Sequence, residues 1–227
     1  MFSPNPLIII ATLCFSAGFG VVLSRAVSSL NRRYEEPGQH IIFKIFSGQT
    51  LAIVLTTAMC SLLMLFFYGE TERAAAGAAF CFLLIVLSFV DARTMFLPDI
   101  LTLPLIALGL AQGGFGLFTA LDDAAIGAAA GYAIPWTINT LFRIIRHKEG
   151  MGGGDFKLLA GIGAWTGAMQ LPLILLLASL IALLAALVMR LRMHHQLPFG
   201  PSLALAGLAC LLWGRQMMGW YLGLMGG

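Results

Sequence analysis

Residues 80–99 read Phe80-Cys81-Phe82-Leu83-Leu84-Ile85-Val86-Leu87-Ser88-Phe89-Val90-Asp91-Ala92-Arg93-Thr94-Met95-Phe96-Leu97-Pro98-Asp99. An uncharged apolar run ends on an aspartate, a short polar turn follows, and Leu97-Pro98-Asp99 leads into a second apolar run. Neither run alternates apolar and polar residues, so neither is a strand of a membrane barrel, and in lipid only a helix satisfies its own backbone groups. Working outward, apolar runs bounded by charge or by Gly and Pro predict helices at roughly 6–30, 48–68, 74–91, 100–118, 124–144, 156–168, 171–191 and 200–223, each crossing taking about 20 residues. Of 227 residues, 59% are hydrophobic and 10% charged, against about a quarter charged in soluble domains. The mean hydropathy is +0.93. The fold class is therefore all-α: a polytopic transmembrane helical bundle of about eight helices, a single integral membrane domain over 1–227 with no room for a sizeable soluble one.

A net charge of +3 on scattered residues excludes a nucleic-acid surface and reads instead as topology. Arg25, Arg32, Arg33 and Lys44 follow the first span, Arg93 the third, Arg143, Arg146, Lys148 and Lys157 surround the loop after the fifth, and Arg190 and Arg192 follow the seventh. These ends are expected in the cytoplasm, which leaves both termini outside it. Nothing before Arg25 is charged, so the first apolar stretch lacks the basic region of a cleaved signal and reads as a retained helix. Cys14, Cys60, Cys81 and Cys210 all lie in apolar runs without a CxxC pair and read as packing residues. His40, His147, His194 and His195 share no helical face, so no metal is expected, and no cofactor is implied.

Seven of the ten acidic residues lie in polar loops, where a solvated role suffices: Glu35, Glu36, Glu70, Glu72, Asp122, Asp123 and Glu149. Asp91, Asp99 and Asp155 instead stand at helix ends beside hydrocarbon, where an unpaired carboxylate costs several kcal/mol and marks a functional candidate. Asp99 precedes a helix and is expected to serve as its N-cap; Asp155 has the same option. Asp91 closes a helix, where the macrodipole disfavours negative charge, so capping does not explain it. Two carboxyls brought together from separate helices cannot both ionise cheaply, so one keeps a proton near neutral pH. Such a pair is the chemistry of an aspartic protease: the charged member takes a proton from water as it attacks a peptide carbonyl, and the protonated member polarises that carbonyl. The run Gly150-Met151-Gly152-Gly153-Gly154-Asp155 lets an extended substrate or a partner helix approach closely. It is not a phosphate loop, because Lys157 follows the aspartate, no GK[ST] ending is present and no strand precedes it.

Two stretches resemble the prepilin peptidases, or type IV leader peptidases, of the GxGD class of membrane aspartic proteases: Asp91 to Leu105, which contains Leu97-Pro98-Asp99, and His147 to Ala160, which contains Gly152-Gly153-Gly154-Asp155-Phe156-Lys157. Pro198-Phe199-Gly200-Pro201 resembles the start of the family's last helix. The resemblance covers about residues 75–210 and the first helix loosely. It implies that Asp91 and Asp155 are the catalytic pair and that Asp99 is structural or supporting, with Asp99 the runner-up for a catalytic role. It also implies as substrate a type IV prepilin or a type II secretion pseudopilin, cut after a short basic leader at the cytoplasmic face of the bacterial inner membrane. Gly152, Gly153, Gly154, Lys157, Lys148 and Glu149 are further candidates for substrate binding or for orienting Asp155.

One departure is informative. Bifunctional members of that family carry a cytoplasmic domain with two CxxC pairs between the first two spans, tied to N-methylation of the product. Here that loop is only about 31–47 and has no cysteine, too short to fold alone or to build an S-adenosylmethionine pocket. Peptidase activity without methylation is the expectation. A proton-coupled transporter fits intramembrane acids but not their place at helix ends, and no repeats or paired broken helices support it. A non-catalytic assembly factor that holds pilin-like helices without cutting them is the third reading.

Overall fold

The computed structural model describes residues 55–69, 72–146, 152–190 and 198–225, and every regular element among them is helical. In chain order these are α1 (Leu55–Tyr68), α2 (Glu72–Thr94), α3 (Asp99–Gly114), α4 (Leu121–Arg146), α5 (Gly153–Thr166), a 3-10 turn (Ala168–Gln170), α6 (Leu171–Arg190) and α7 (Gly200–Met225). The all-helical reading of the composition holds, and Glu72–Ala92 and Ala168–Val188 are each long and apolar enough to cross a bilayer. The expected first span, 6–30, and the loop at about 31–47 lie outside the described residues.

The chain divides into two compact units, with the boundary between Val86 and Leu87 inside α2. In the first unit Met64 of α1 is buried, as are Phe80, Phe82, Leu84 and Val86 of α2, and the Cys60 and Cys81 thiols are hydrogen-bonded to each other.

The second unit is organised around α5. Fourteen residues at 1.5 Å each make about 21 Å, short of a hydrocarbon core of about 30 Å. Its buried residues include Phe156 and all of Leu158 to Thr166, so α5 is a core helix enclosed by its neighbours, chiefly α3 and α4 with α7. Close approach is what the small residues supply: a Cβ on Gly127 of α4 would strike the Gly163 carbonyl of α5, and one on Gly163 would strike the Gly127 carbonyl. Backbones in contact maximise dispersion between helices where lipid supplies no hydrophobic force. Gly167 ends α5 with φ 88°. Its N–H bonds the Gly163 carbonyl, and Asp123 accepts the Ala168 N–H at 3.0 Å.

The helix bounds that fall within the described residues lie within a few residues of expectation, except for the helix expected at 100–118, which ends at Gly114. The cause is Gln112. Its Oε1 accepts the Phe118 N–H at 3.0 Å and its Nε2 donates to the Ala164 carbonyl at 3.2 Å, so the chain after Gly113-Gly114 folds back onto the helix end. α2 ends with Met95 at φ 51°, a left-handed residue after the helix. Thr94 Oγ1 accepts the Phe96 N–H at 3.2 Å and donates to the Val90 carbonyl at 2.9 Å, which turns the chain from Asp91 toward Leu97.

Candidate functional site

Asp91 lies in the last turn of α2 and is 5% exposed. As the sequence requires, no cap of its own helix holds it. Its Oδ2 accepts the Gly200 N–H at 2.8 Å, a group at the first residue of α7 that has no partner within that helix. Asp91 thus terminates a helix 109 residues further along the chain. The fit requires glycine, because a Cβ on Gly200 would lie 2.5 Å from Oδ2 and 2.8 Å from Cγ of Asp91.

Asp155 occupies the first turn of α5, half-buried, on a helix too short to be a span. It is not the N-cap: that position belongs to Gly152, without a side-chain cap. Its carboxyl is pushed up to about 7, first by burial and then by the charge of Asp91, against a lowering by the Gly152 backbone hydrogen bond. The two aspartates singled out in the sequence, 64 positions apart in the chain, thus lie within electrostatic reach of each other.

The Leu97 turn is wedged against the same end of α5. Leu97 is buried, and a Cβ on Gly154 would fall 2.8 Å from the Leu97 Cβ. Of the three glycines before Asp155, only Gly154 is therefore closed off by a partner. Gly153 has nothing within 4 Å of a built Cβ, and Gly152 lies beside the Asp155 carboxylate. The expected N-cap role of Asp99 is corrected: Pro98 takes the cap position, Asp99 is already inside α3, and its carboxylate pairs with the Lys157 ammonium at 2.5 Å. Lys157 accordingly bridges to Asp99 across two helices. Lys148 and Glu149 lie outside the described residues, as do His40, His147, His194 and His195. Sequence reasoning missed Gly200 as a site residue. The signal was present in Pro198-Phe199-Gly200-Pro201, but nothing local says that this glycine meets Asp91.

Two carboxyls, one buried and one half-buried, thus come from separate helices of a helical membrane protein, one accepting the N–H that opens another helix and one whose ionisation burial opposes. Residues 78–187 match the type IV leader peptidase family. The chain is 46% identical over 178 residues to a prepilin leader peptidase/N-methyltransferase of Pseudomonas aeruginosa, covering 77% of this chain and 61% of that protein. It is 44% identical to the protein of that name in Aeromonas hydrophila, over 75% of this chain and 60% of the relative. A third, in Neisseria gonorrhoeae, is 42% identical over 68% of this chain and 54% of the relative. The chain thus spans about 60% of the length of the first two of these relatives. No solved structure matches it.

Proposed function

We propose that this chain is a membrane aspartic endopeptidase that removes the basic leader from type IV prepilins or type II secretion pseudopilins. The observation that carries the reading is the electrostatic influence of Asp91 on Asp155 inside the region that matches the leader peptidase family. Asp91, already accepting a backbone N–H, is suited to take the proton of the attacking water. Asp155, which holds a proton up to about pH 7, is suited to polarise the scissile carbonyl and then to protonate the leaving amine. Dyad titration belongs to the pair, so the rate is expected to report two apparent values shared by both residues.

The open space at Gly153 and the exposure of Gly152 leave a place where an extended substrate backbone fits beside Asp155. The topology of the basic residues supports an inner-membrane, multi-pass protein, the site at the cytoplasmic side and both termini outside, with lipid as its surroundings. The shortness of the loop at about 31–47 supports a single peptidase domain that does not methylate its product. The test is leader removal in detergent or liposomes, comparing wild type with Asp91→Asn and Asp155→Asn. Loss of cleavage in both, with folding retained, supports the dyad. A folded wild type that leaves several prepilins uncut sinks it. Methylated product from purified protein supplied with S-adenosylmethionine would overturn the second part.

A further inference from the structure

We propose that Cys60 and Cys81 form a redox-active dithiol, which a lipid-soluble quinone oxidises to a disulfide that links α1 to α2. The inference goes beyond the peptidase reading and does not rest on it.

The thiols of Cys60 and Cys81 are hydrogen-bonded to each other, and both residues belong to the first compact unit. Their places in the chain fit that contact. Cys60 lies eight residues before the end of α1 at Tyr68, and Cys81 nine residues after the start of α2 at Glu72. Antiparallel neighbours joined by a short turn meet at such matched positions, here about 12–14 Å from the helix ends at 1.5 Å per residue. A hydrogen bond between thiols puts the two sulfurs in contact. A disulfide, with S–S of about 2.05 Å and Cβ atoms about 3.5–4.5 Å apart, forms without backbone movement only where a pair already stands this close.

The two thiols differ in access. Cys81 is 1% exposed, on a stretch of α2 that is buried throughout from Phe80 to Leu84. Cys60 is half-buried, at the border between the face of α1 that packs, with Thr57, Ser61 and Met64, and the face that carries the exposed Met59, Leu62 and Phe66. In a bilayer that second face meets lipid. An oxidant therefore reaches Cys60 first, and Cys81 stands behind it to complete the bond.

Depth selects the oxidant. A distance of about 12–14 Å from the helix ends lies well inside a hydrocarbon core of about 30 Å, where an isolated charge is costly. The exchange with a quinone is neutral on both sides. Two S–H bonds break and one S–S bond forms; the two electrons pass from the sulfurs to the quinone, and the two protons end on its oxygens as quinol. The product constrains the unfolded chain by closing the loop between Cys60 and Cys81, which stabilises the hairpin.

The experiment uses the full-length protein, reduced, in liposomes of phosphatidylethanolamine and phosphatidylglycerol. Tetramethylbenzoquinone is added, because its ring has no open carbon for a thiol to attack. The protein is then denatured and alkylated with a maleimide, and mass spectrometry assigns the protected residues among its four cysteines. Cys60 and Cys81 are expected to escape alkylation as one linked peptide pair, lighter by two hydrogens and opened by dithiothreitol, while Cys14 and Cys210 are alkylated. Quinol should appear at about one per chain, at least about tenfold faster than with Cys60→Ala/Cys81→Ala. Oxidised wild type should melt above reduced wild type, and the double variant should melt alike in both conditions. Oxidised glutathione outside the liposomes should leave all four thiols alkylatable. Four alkylated thiols after quinone treatment of a wild type that melts cooperatively overturn the inference, as does a Cys60 equally protected in Cys81→Ala. Oxidation as fast by glutathione as by the quinone overturns the lipid route. Prepilin cleavage enters none of these outcomes.

Discussion

The two ends of α5 are built for opposite purposes. At its C-terminal end polar groups find partners inside the fold: Gln112 bridges the Ala164 carbonyl and the Phe118 N–H, Trp165 Nε1 donates to the Leu105 carbonyl at 2.9 Å, Thr166 Oγ1 donates to the Ile162 carbonyl, and Asp123 accepts from both Thr119 and the Ala168 N–H. At its N-terminal end the chain enters the helix through the exposed Gly152 and Gly153, a half-buried carboxyl whose ionisation burial opposes lies in the first turn, and a second carboxyl accepts the N–H that opens another helix. A buried polar group with its partners anchors a fold, whereas one left short of partners remains available for chemistry. On the proposed reading, the same short helix joins an anchored end to a reactive one.

Substitutions at the two ends should separate these roles. The largest effect is expected from Asp91→Asn and from Asp155→Asn, each reducing leader removal by at least about a thousandfold while the protein remains folded, read by product formation and by circular dichroism. Retained cleavage in either variant would dissolve the distinction between the ends. Gly200→Ala comes next. The added methyl meets Asp91, so cleavage should drop by roughly tenfold to a hundredfold through displacement of that carboxyl, with KM changed less than kcat.

At the other end, Gln112→Leu removes the acceptor of Phe118 and the donor to Ala164, both inside the fold. It should destabilise by about 1–3 kcal/mol, seen as a lower Tm, with turnover per folded molecule preserved. A Gln112 variant that melts normally and cuts poorly would place the anchor inside the site. The smallest effect is one of pH. Asp155 has its folded value raised, so the stability it contributes is fully present below the ordinary carboxylate range and is lost as pH rises through about 7. Asp155→Asn should therefore melt higher relative to wild type above pH 7 than at pH 5, and an equal difference at both would mean that Asp155 is ionised throughout.

Much of this protein is legible from residue order. Long uncharged apolar runs leave the backbone no option but helix in lipid, and an aspartate at a helix C-terminus is already anomalous against the macrodipole. Asp91 and Asp155 could be singled out on those grounds, and the glycine run before Asp155 marks a place of close approach. The N-cap expected of Asp99 does not form, because position beside a proline at a helix start looks like a cap whether or not the side chain serves as one. Only the packing shows that Lys157 of another helix claims it. α5 looked like a short span because apolar runs in lipid and in a protein core have the same composition; its length and its burial against α3 and α4 distinguish them.

Gly200 marks the division most clearly. Composition, periodicity and local signals are properties of neighbouring residues, and they determined the helices, their ends and the two unusual carboxyls. That the α7 N-terminus meets Asp91 across 109 residues of chain, and that Asp91 acts on Asp155, depends on how helices cross. Those crossings are set by summed small contacts such as Gly127 on Gly163, which no single stretch of sequence contains.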